Sequence, residues 1–120
     1  MKIAEVSQKS GLSSDTIRYY ESCGMLPDIR RSPQGHREFT PKDVEWLTLL
    51  YWLRETGMPL RQMKRFTALA KMEGPASFER RHILMDHAEE LRRRRAVLDH
   101  CEKILAIKIA SYGPDRTDPA

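Results

Sequence analysis

The sequence predicts a mainly α fold, and three observations carry that expectation. Two short helical segments, each stopped by a glycine, lie close together at the start of the chain. A run with a proline, a glycine and flanking basic residues follows, spaced like a β-hairpin. Further on, Leu84, Leu91, Leu98, Leu105 and Tyr112 recur every seven residues, the repeat of a helix that pairs with another. Together they describe a winged helix-turn-helix unit followed by one long helix in an antiparallel coiled coil.

The first helix should run over 3–10, with Gly11 at the position where a left-handed residue ends a helix. In "LSSDT", Ser13 is a ready N-cap and Asp15 brings negative charge to the first turn. The second helix then continues to Cys23, and Gly24 stops it. Two helices joined by a tight turn give the helix-turn-helix outline. In "LPDIRRSPQGHREFTP", residues 29–31 and 37–39 can pair as strands across the turn formers Pro33 and Gly35. Two strands alone are marginal in water, so this hairpin must lean on the helices as a wing.

Thr40 should cap the third helix, with Pro41 at its first position and Gly57 at its end. Val44, Leu47, Leu50, Tyr51, Trp52 and Leu53 form its broad apolar stripe, expected to be buried. "MPLRQMKRFTALAKM" makes a fourth helix with Pro59 in its first turn and Leu60, Met63, Phe66 and Ala70 on one face. "EGPAS" is the one clear break. The expected domains are therefore 1–74, the winged helix-turn-helix, and 75–112, a dimerisation helix. A polar tail, 113–120, is expected to be disordered. Ser77 would cap the long helix, which spans about 35 residues and about 50 Å.

Composition narrows the function. The chain has 120 residues, enough for one modest domain or a smaller one with an appendage. Its net charge of +4, from 21 basic and 17 acidic residues, hints mildly at an anionic partner. No apolar run is long enough to cross a bilayer, and "MKIAEVSQKS" lacks a signal-peptide core, so a cytoplasmic location and no membrane partner are expected. Cys23 and Cys101 are the only cysteines, so there is no disulfide framework. No nucleophile–base pair, acidic pair or phosphate loop marks an enzyme, and no cofactor is expected.

The stretch "TIRYYE" raises a local question, because Tyr19 and Tyr20 lie about 100° apart on a helix and cannot share one core. Ile17 and Tyr20, at i and i+3, can face inward with Met25 and Leu26. Ser14 and Arg18, at i and i+4, lie on another face beside Asp15 and Tyr19. Thr16 and Arg18 then present a hydroxyl and a guanidinium outward, where Arg can read guanine or clamp phosphate. Tyr19 has no core to enter, and a nucleic-acid backbone would give its hydroxyl a partner. Tyr20 can pack its ring and keep its hydroxyl for the rim. The wing adds Arg30, Arg31, His36 and Arg37, and the fourth helix opens with Arg61, Lys64 and Arg65, where backbone N–H groups also favour phosphate.

The long helix has no second helix of its own to cover its seam, so a homodimer is expected through Leu84, Leu91, Leu98, Cys101, Leu105 and Tyr112. His87, Arg94, Cys101 and Lys108 at the half-way positions suit an antiparallel pair better than a parallel zipper. Arg92 to Arg95 can pair with Glu89 and Glu90 one turn away. Cys101 is the candidate sensor, with Arg94, Arg95 and Lys108 as cations of the kind that activate a thiol; the alternative is a cysteine that fills the seam. No metal site is expected, since the two thiols sit in different elements and His82, His87 and His100 are not at i, i+4.

Residues 2–72 resemble the MerR-type transcription regulators through "IAEVSQKSGLSSDTIRYYESCGMLP", "RRSPQGHREFTPKDVEWL" and "LRETGMPLRQMKRF". The resemblance rests most on TIRYYE, the GHR of the wing and the later TGM. It implies DNA contacts at Thr16, Arg18, Tyr19, Tyr20 and Arg37, with Arg61 and its neighbours as a second wing. With the outward face and the basic wing, the candidate DNA-binding set is Ser14, Thr16, Arg18, Tyr19, Tyr20, Arg31, His36, Arg37, Arg61 and Lys64. His36 stands where the family usually has tyrosine. The resemblance also implies a homodimer on double-stranded promoter DNA that bends and untwists it for RNA polymerase. Metal-sensing members carry cysteines where this chain reads "GPASFERRH" and "SYGPDRTDPA". The short region after the long helix is similar to small members tied to aldehyde or electrophile stress, yet their reactive cysteine is absent from "LLYWLRETGM". The effector therefore stays open. An architectural or excision-type DNA-bending protein and a protein-interaction adaptor are the rival functions.

Overall fold

The structure is a computed structural model and describes residues 1–72 and 76–114. Helices α1 (Ile3–Ser10) and α2 (Ser14–Ser22) lead into strands β1 (Arg30–Arg31) and β2 (Arg37–Glu38). Helices α3 (Pro41–Glu55), α4 (Leu60–Ala70) and α5 (Ala76–Ser111) follow. The mainly helical class, the helix-turn-helix with its two-stranded wing and the long last helix are all as the sequence predicts.

Local chemistry sets the boundaries. Gly11 takes φ 89° and donates its N–H to the Ser7 carbonyl at 3.1 Å, closing α1. A Cβ at Gly11 would run into the Tyr51 ring, so the position needs glycine for space as well as for conformation. The Ser13 hydroxyl accepts the Thr16 N–H at 3.1 Å to open α2. At α3, Thr40 Oγ1 accepts from the Asp43 N–H at 3.2 Å and Asp43 Oδ2 accepts from the Thr40 N–H at 2.8 Å, a capping box ahead of Pro41.

The wing pairs antiparallel with Arg30 opposite Glu38 and Arg31 opposite Arg37. Its loop closes through the Ser32 N–H to the His36 carbonyl at 2.7 Å and the Gly35 N–H to the Ser32 carbonyl at 2.8 Å. Beyond β2, the Phe39 N–H donates to the Met1 carbonyl at 2.9 Å, which ties the strand's end to the chain's first residue.

One core serves the first compact unit, Met1–Leu84. Val6, Leu12, Ile17, Leu47, Leu50 and Met63 are fully buried at its centre, and each is worth about 1.5–3 kcal/mol of apolar transfer. Trp46 stacks on Phe66 with centroids 5.5 Å apart and donates its indole N–H to the Met25 carbonyl at 2.9 Å. Ile83 and Leu84 pack against this core, so the first turns of α5 belong to it. Leu84, the first seam residue, therefore already has apolar neighbours within its own chain.

Four expectations need correction. Trp52 is 59% exposed, because the buried line of α3 runs through Leu47, Leu50 and Leu53 and Trp52 lies about 160° from its middle. Leu60 is exposed too, at the very start of α4, where Met63, Phe66, Thr67 and Leu69 make the buried face. Pro59 is the N-cap of α4 rather than a residue of its first turn. Ser77 is the second residue of α5 instead of its cap, since the helix begins at Ala76.

The second unit, from Met85 on, consists of the rest of α5 and the residues after it. Arg92 pairs with Glu89 at 2.7 Å, and Arg93 and Arg94 pair with Glu90 at 2.8 and 3.5 Å, as the spacing predicts. Leu91 is half-buried, whereas Leu98, Cys101, Leu105 and Tyr112 are exposed on the single chain. The expected boundary at 74/75 falls within residues 73–75, and most of the expected tail is 115–120; both lie outside the described residues. Among the described residues no helix is long and apolar enough to cross a membrane.

Candidate nucleic-acid interface

The packing of α2 sorts its two tyrosines. Ile17 and Tyr20 enter the core with Met25 and Leu26, and Tyr20 is only 3% exposed. Tyr19 is 47% exposed, with its ring 6.2 Å from that of Tyr20. Thr16, Tyr19 and Tyr20 line a cleft of about 280 Å³ together with Arg54, Leu60 and Met63. Tyr20 thus contributes a wall of this cleft, and Tyr19 is the tyrosine that faces out.

The polar groups of the same helix are held lightly. Thr16 Oγ1 accepts from the Ser13 hydroxyl at 2.9 Å, which leaves the Thr16 proton to donate elsewhere. Arg18 donates to Asp15 Oδ1 at 3.0 Å, one turn away. Both side chains are exposed, so this pair is worth a few tenths of a kcal/mol, about what an incoming phosphate can displace. Ser14 opens the same helix.

Beside α2 stands the wing, and one carboxylate joins them. Glu21 Oε1 accepts from Arg37 Nε at 2.8 Å and from an η nitrogen of Arg31 at 3.3 Å. Arg37 and Glu21 are both partly buried, so their bond is better shielded than the Arg18 pair. Fixing Arg37 through Nε leaves its two terminal nitrogens for a ligand. Arg30, Arg31 and His36 are exposed on the hairpin. On α4, Arg61 and Lys64 are exposed beside an N-terminus with no side-chain cap, so its first N–H groups are open to an anion. Arg65 differs: it pairs with Glu79 at 2.7 Å.

Glu21 is the residue that motif reading passed over. It is the last letter of TIRYYE, and an acid set amid a basic constellation was the signal available. Among the described residues no group of three histidines, cysteines or carboxylates converges as a metal would require. Cys23 is half-buried at the end of α2, and Cys101 is exposed on α5.

Comparison with known proteins decides the family. The profile of the MerR HTH family regulatory proteins matches residues 1–69, and a second profile, "MerR, DNA binding", matches residues 44–106. The chain belongs to the MerR family. This MerR protein is 34% identical to an uncharacterised HTH-type transcriptional regulator of Haemophilus influenzae over 109 residues, 91% of this chain and 81% of the relative. A putative MerR family regulator from Listeria monocytogenes superposes with TM-score 0.83 at 33% identity, covering 93% of this chain and 85% of that one. HiNmlR, a MerR family regulator lacking the sensor domain and solved bound to promoter DNA, superposes with TM-score 0.82 at 33% identity, covering 92% and 88%. The chain is thus a MerR-type DNA-binding transcriptional regulator, of a family that is not enzymatic.

Proposed function

We propose that this MerR regulator acts in the cytoplasm as a homodimer on promoter DNA, with 1–74 on the duplex and 75–112 as the dimerisation helix. The observation that carries the reading is the Glu21 clamp, which sets a basic wing beside the half-buried Thr16 and the exposed Arg18 and Tyr19 of α2. In this reading Ser14, Thr16, Arg18 and Tyr19 meet the major groove and its phosphates. Tyr20 backs Tyr19 from the core. Arg31, His36 and Arg37 follow the backbone from the wing, and Arg61 and Lys64 hold a further phosphate at the α4 N-terminus. HiNmlR, solved on promoter DNA with a similar chain, supports the same docking.

A homodimer distorts promoter DNA by gripping two half-sites at once, offsetting a bending cost of several kcal/mol with paired contacts. RNA polymerase then meets realigned promoter elements. The exposed Leu98, Leu105 and Tyr112 of α5 support an antiparallel self-pairing through the seam. Electrophile or small-molecule stress is the signal that fits a regulator of this form, with the Cys101 thiol as its candidate sensor.

The test is an anisotropy titration of the protein against its own upstream DNA, with Cys101 first reduced and then alkylated. Tight, salt-sensitive binding that Arg18→Ala and Arg37→Ala each weaken is the expected result. Affinity that changes on alkylation of the wild type but not of Cys101→Ser assigns the switch to Cys101, and indifference to alkylation assigns it to a ligand. Absence of specific binding in both states would return the chain to the adaptor reading.

A further inference from the structure

The first compact unit contains a cavity of about 410 Å³ that the DNA-binding reading leaves unused. Its apolar walls are Met25, Leu26, Pro27 and the indole of Trp46, and its volume suits a small organic molecule. Most polar groups around it are spent on the frame. Trp46 Nε1 donates to the Met25 carbonyl, Thr40 and Asp43 bond each other in the capping box, and the Thr67 hydroxyl donates to the Lys64 carbonyl at 3.0 Å.

The unspent groups are cations. Lys42, Lys71 and Arg80 line the cavity, and among the described residues none of them makes an ion pair. Arg80 Nε is buried and, among the described residues, has no hydrogen-bond partner. A buried donor left unpaired is unfavourable, and an anionic oxygen would satisfy it. Among the described residues Asp43 is the one carboxylate on the lining, and its Oδ2 already accepts from the Thr40 N–H.

Position adds a consequence. Pro27 and Thr40 both line the cavity, and they bracket the segment that carries β1 and β2. A molecule lodged there fills the space at the base of the wing. We propose that this cavity binds a small aromatic carboxylate, its ring against Trp46 and its charge on Lys71 and Arg80, and that occupancy changes the wing's hold on DNA. The second half rests on the DNA-binding function proposed above; the site itself does not.

The test uses 2-naphthoate as the probe and the full chain carrying Trp52→Phe, so that the Trp46 indole N–H gives the single indole signal in a nitrogen–proton NMR spectrum. Millimolar 2-naphthoate should shift that signal saturably. The neutral 2-naphthylmethanol, and 2-naphthoate on Lys71→Gln or Arg80→Gln, should each bind roughly tenfold more weakly, the loss of one charge-assisted hydrogen bond. An unmoved Trp46 signal, equal binding of the alcohol, or full affinity in both variants would overturn the site. In parallel, 2-naphthoate should alter the DNA affinity of the wild type and leave that of Lys71→Gln unchanged. A Trp46 shift with no change in DNA affinity would overturn the link to the wing, whereas loss of DNA binding by the ligand-free protein would count against the regulator reading alone.

Discussion

Glu21 shows how one side chain can decide whether basic residues make a site. Without it Arg31 and Arg37 would be two solvated cations on a hairpin too short to hold itself. With it they become a wing set against α2. Glu21→Gln therefore separates two views of the interface. Simple electrostatics expects tighter DNA binding, because the change adds one positive unit to a net charge of +4. Positioning expects weaker binding and a stability loss of about 1 kcal/mol, because a partly buried guanidinium loses its carboxylate. Anisotropy and urea denaturation together should return the second pattern. Gly11 makes a second case at this scale, since alanine there meets both a left-handed backbone and the Tyr51 ring. Gly11→Ala should cost about 2 kcal/mol or more, read as a lower urea midpoint at unchanged slope.

Among the elements, those set by local chemistry were legible in the sequence and those set by packing were less so. Ser13, Thr40, Pro41 and Gly11 end or begin helices through bonds to their own neighbours, and the structure places those boundaries where their residue types predict. The outward Tyr19 and inward Tyr20 followed from helical periodicity alone. Trp52 and Leu60 are exposed against expectation, because apolar character says nothing about which arc of the helix meets a neighbour. The Glu21 clamp joins residues 10 and 16 positions apart, and no helical or strand period connects them. The cavity at the wing's base was equally hidden, since its cations come from α3, from just past α4 and from α5. On α5, partial burial and the nearby Arg94 lower the pKa of His87 below its usual 6.5, with Glu90 opposing them. A depressed folded-state value means that the unfolded chain binds the proton more readily. The contribution to stability is therefore full above about pH 6.5 and is lost as the pH falls through the folded value. Thermal melts between pH 7.5 and 5.5 should show a downward slope that His87→Gln flattens.

The whole molecule has to answer for the apolar surface of its last helix. Leu98 and Leu105 are 61% and 53% exposed on the single chain, and Val97, Ile104, Ile107 and Ile109 are exposed with them. A helix in water rarely leaves so many apolar side chains exposed along its length, and a lone helix gains little from its own hydrogen bonds. In the homodimer proposed above, a second copy would cover these side chains and bring a second wing and a second α2 to the duplex. Those two consequences can be tested with one variant. The wild type should sediment at about twice the 14.0 kDa chain mass, and Leu98→Glu with Leu105→Glu should sediment as a single chain. If each copy neutralises its own set of phosphates, the slope of log affinity against log salt counts the copies on the DNA. The double variant should bind more weakly at every salt concentration and with about half the wild-type slope, because one half-site's contacts are gone and the effective concentration that joined them is lost. A variant that is monomeric yet keeps the full slope would mean that a single chain makes all the phosphate contacts. The exposed face of α5 would then belong to some partner other than a second copy.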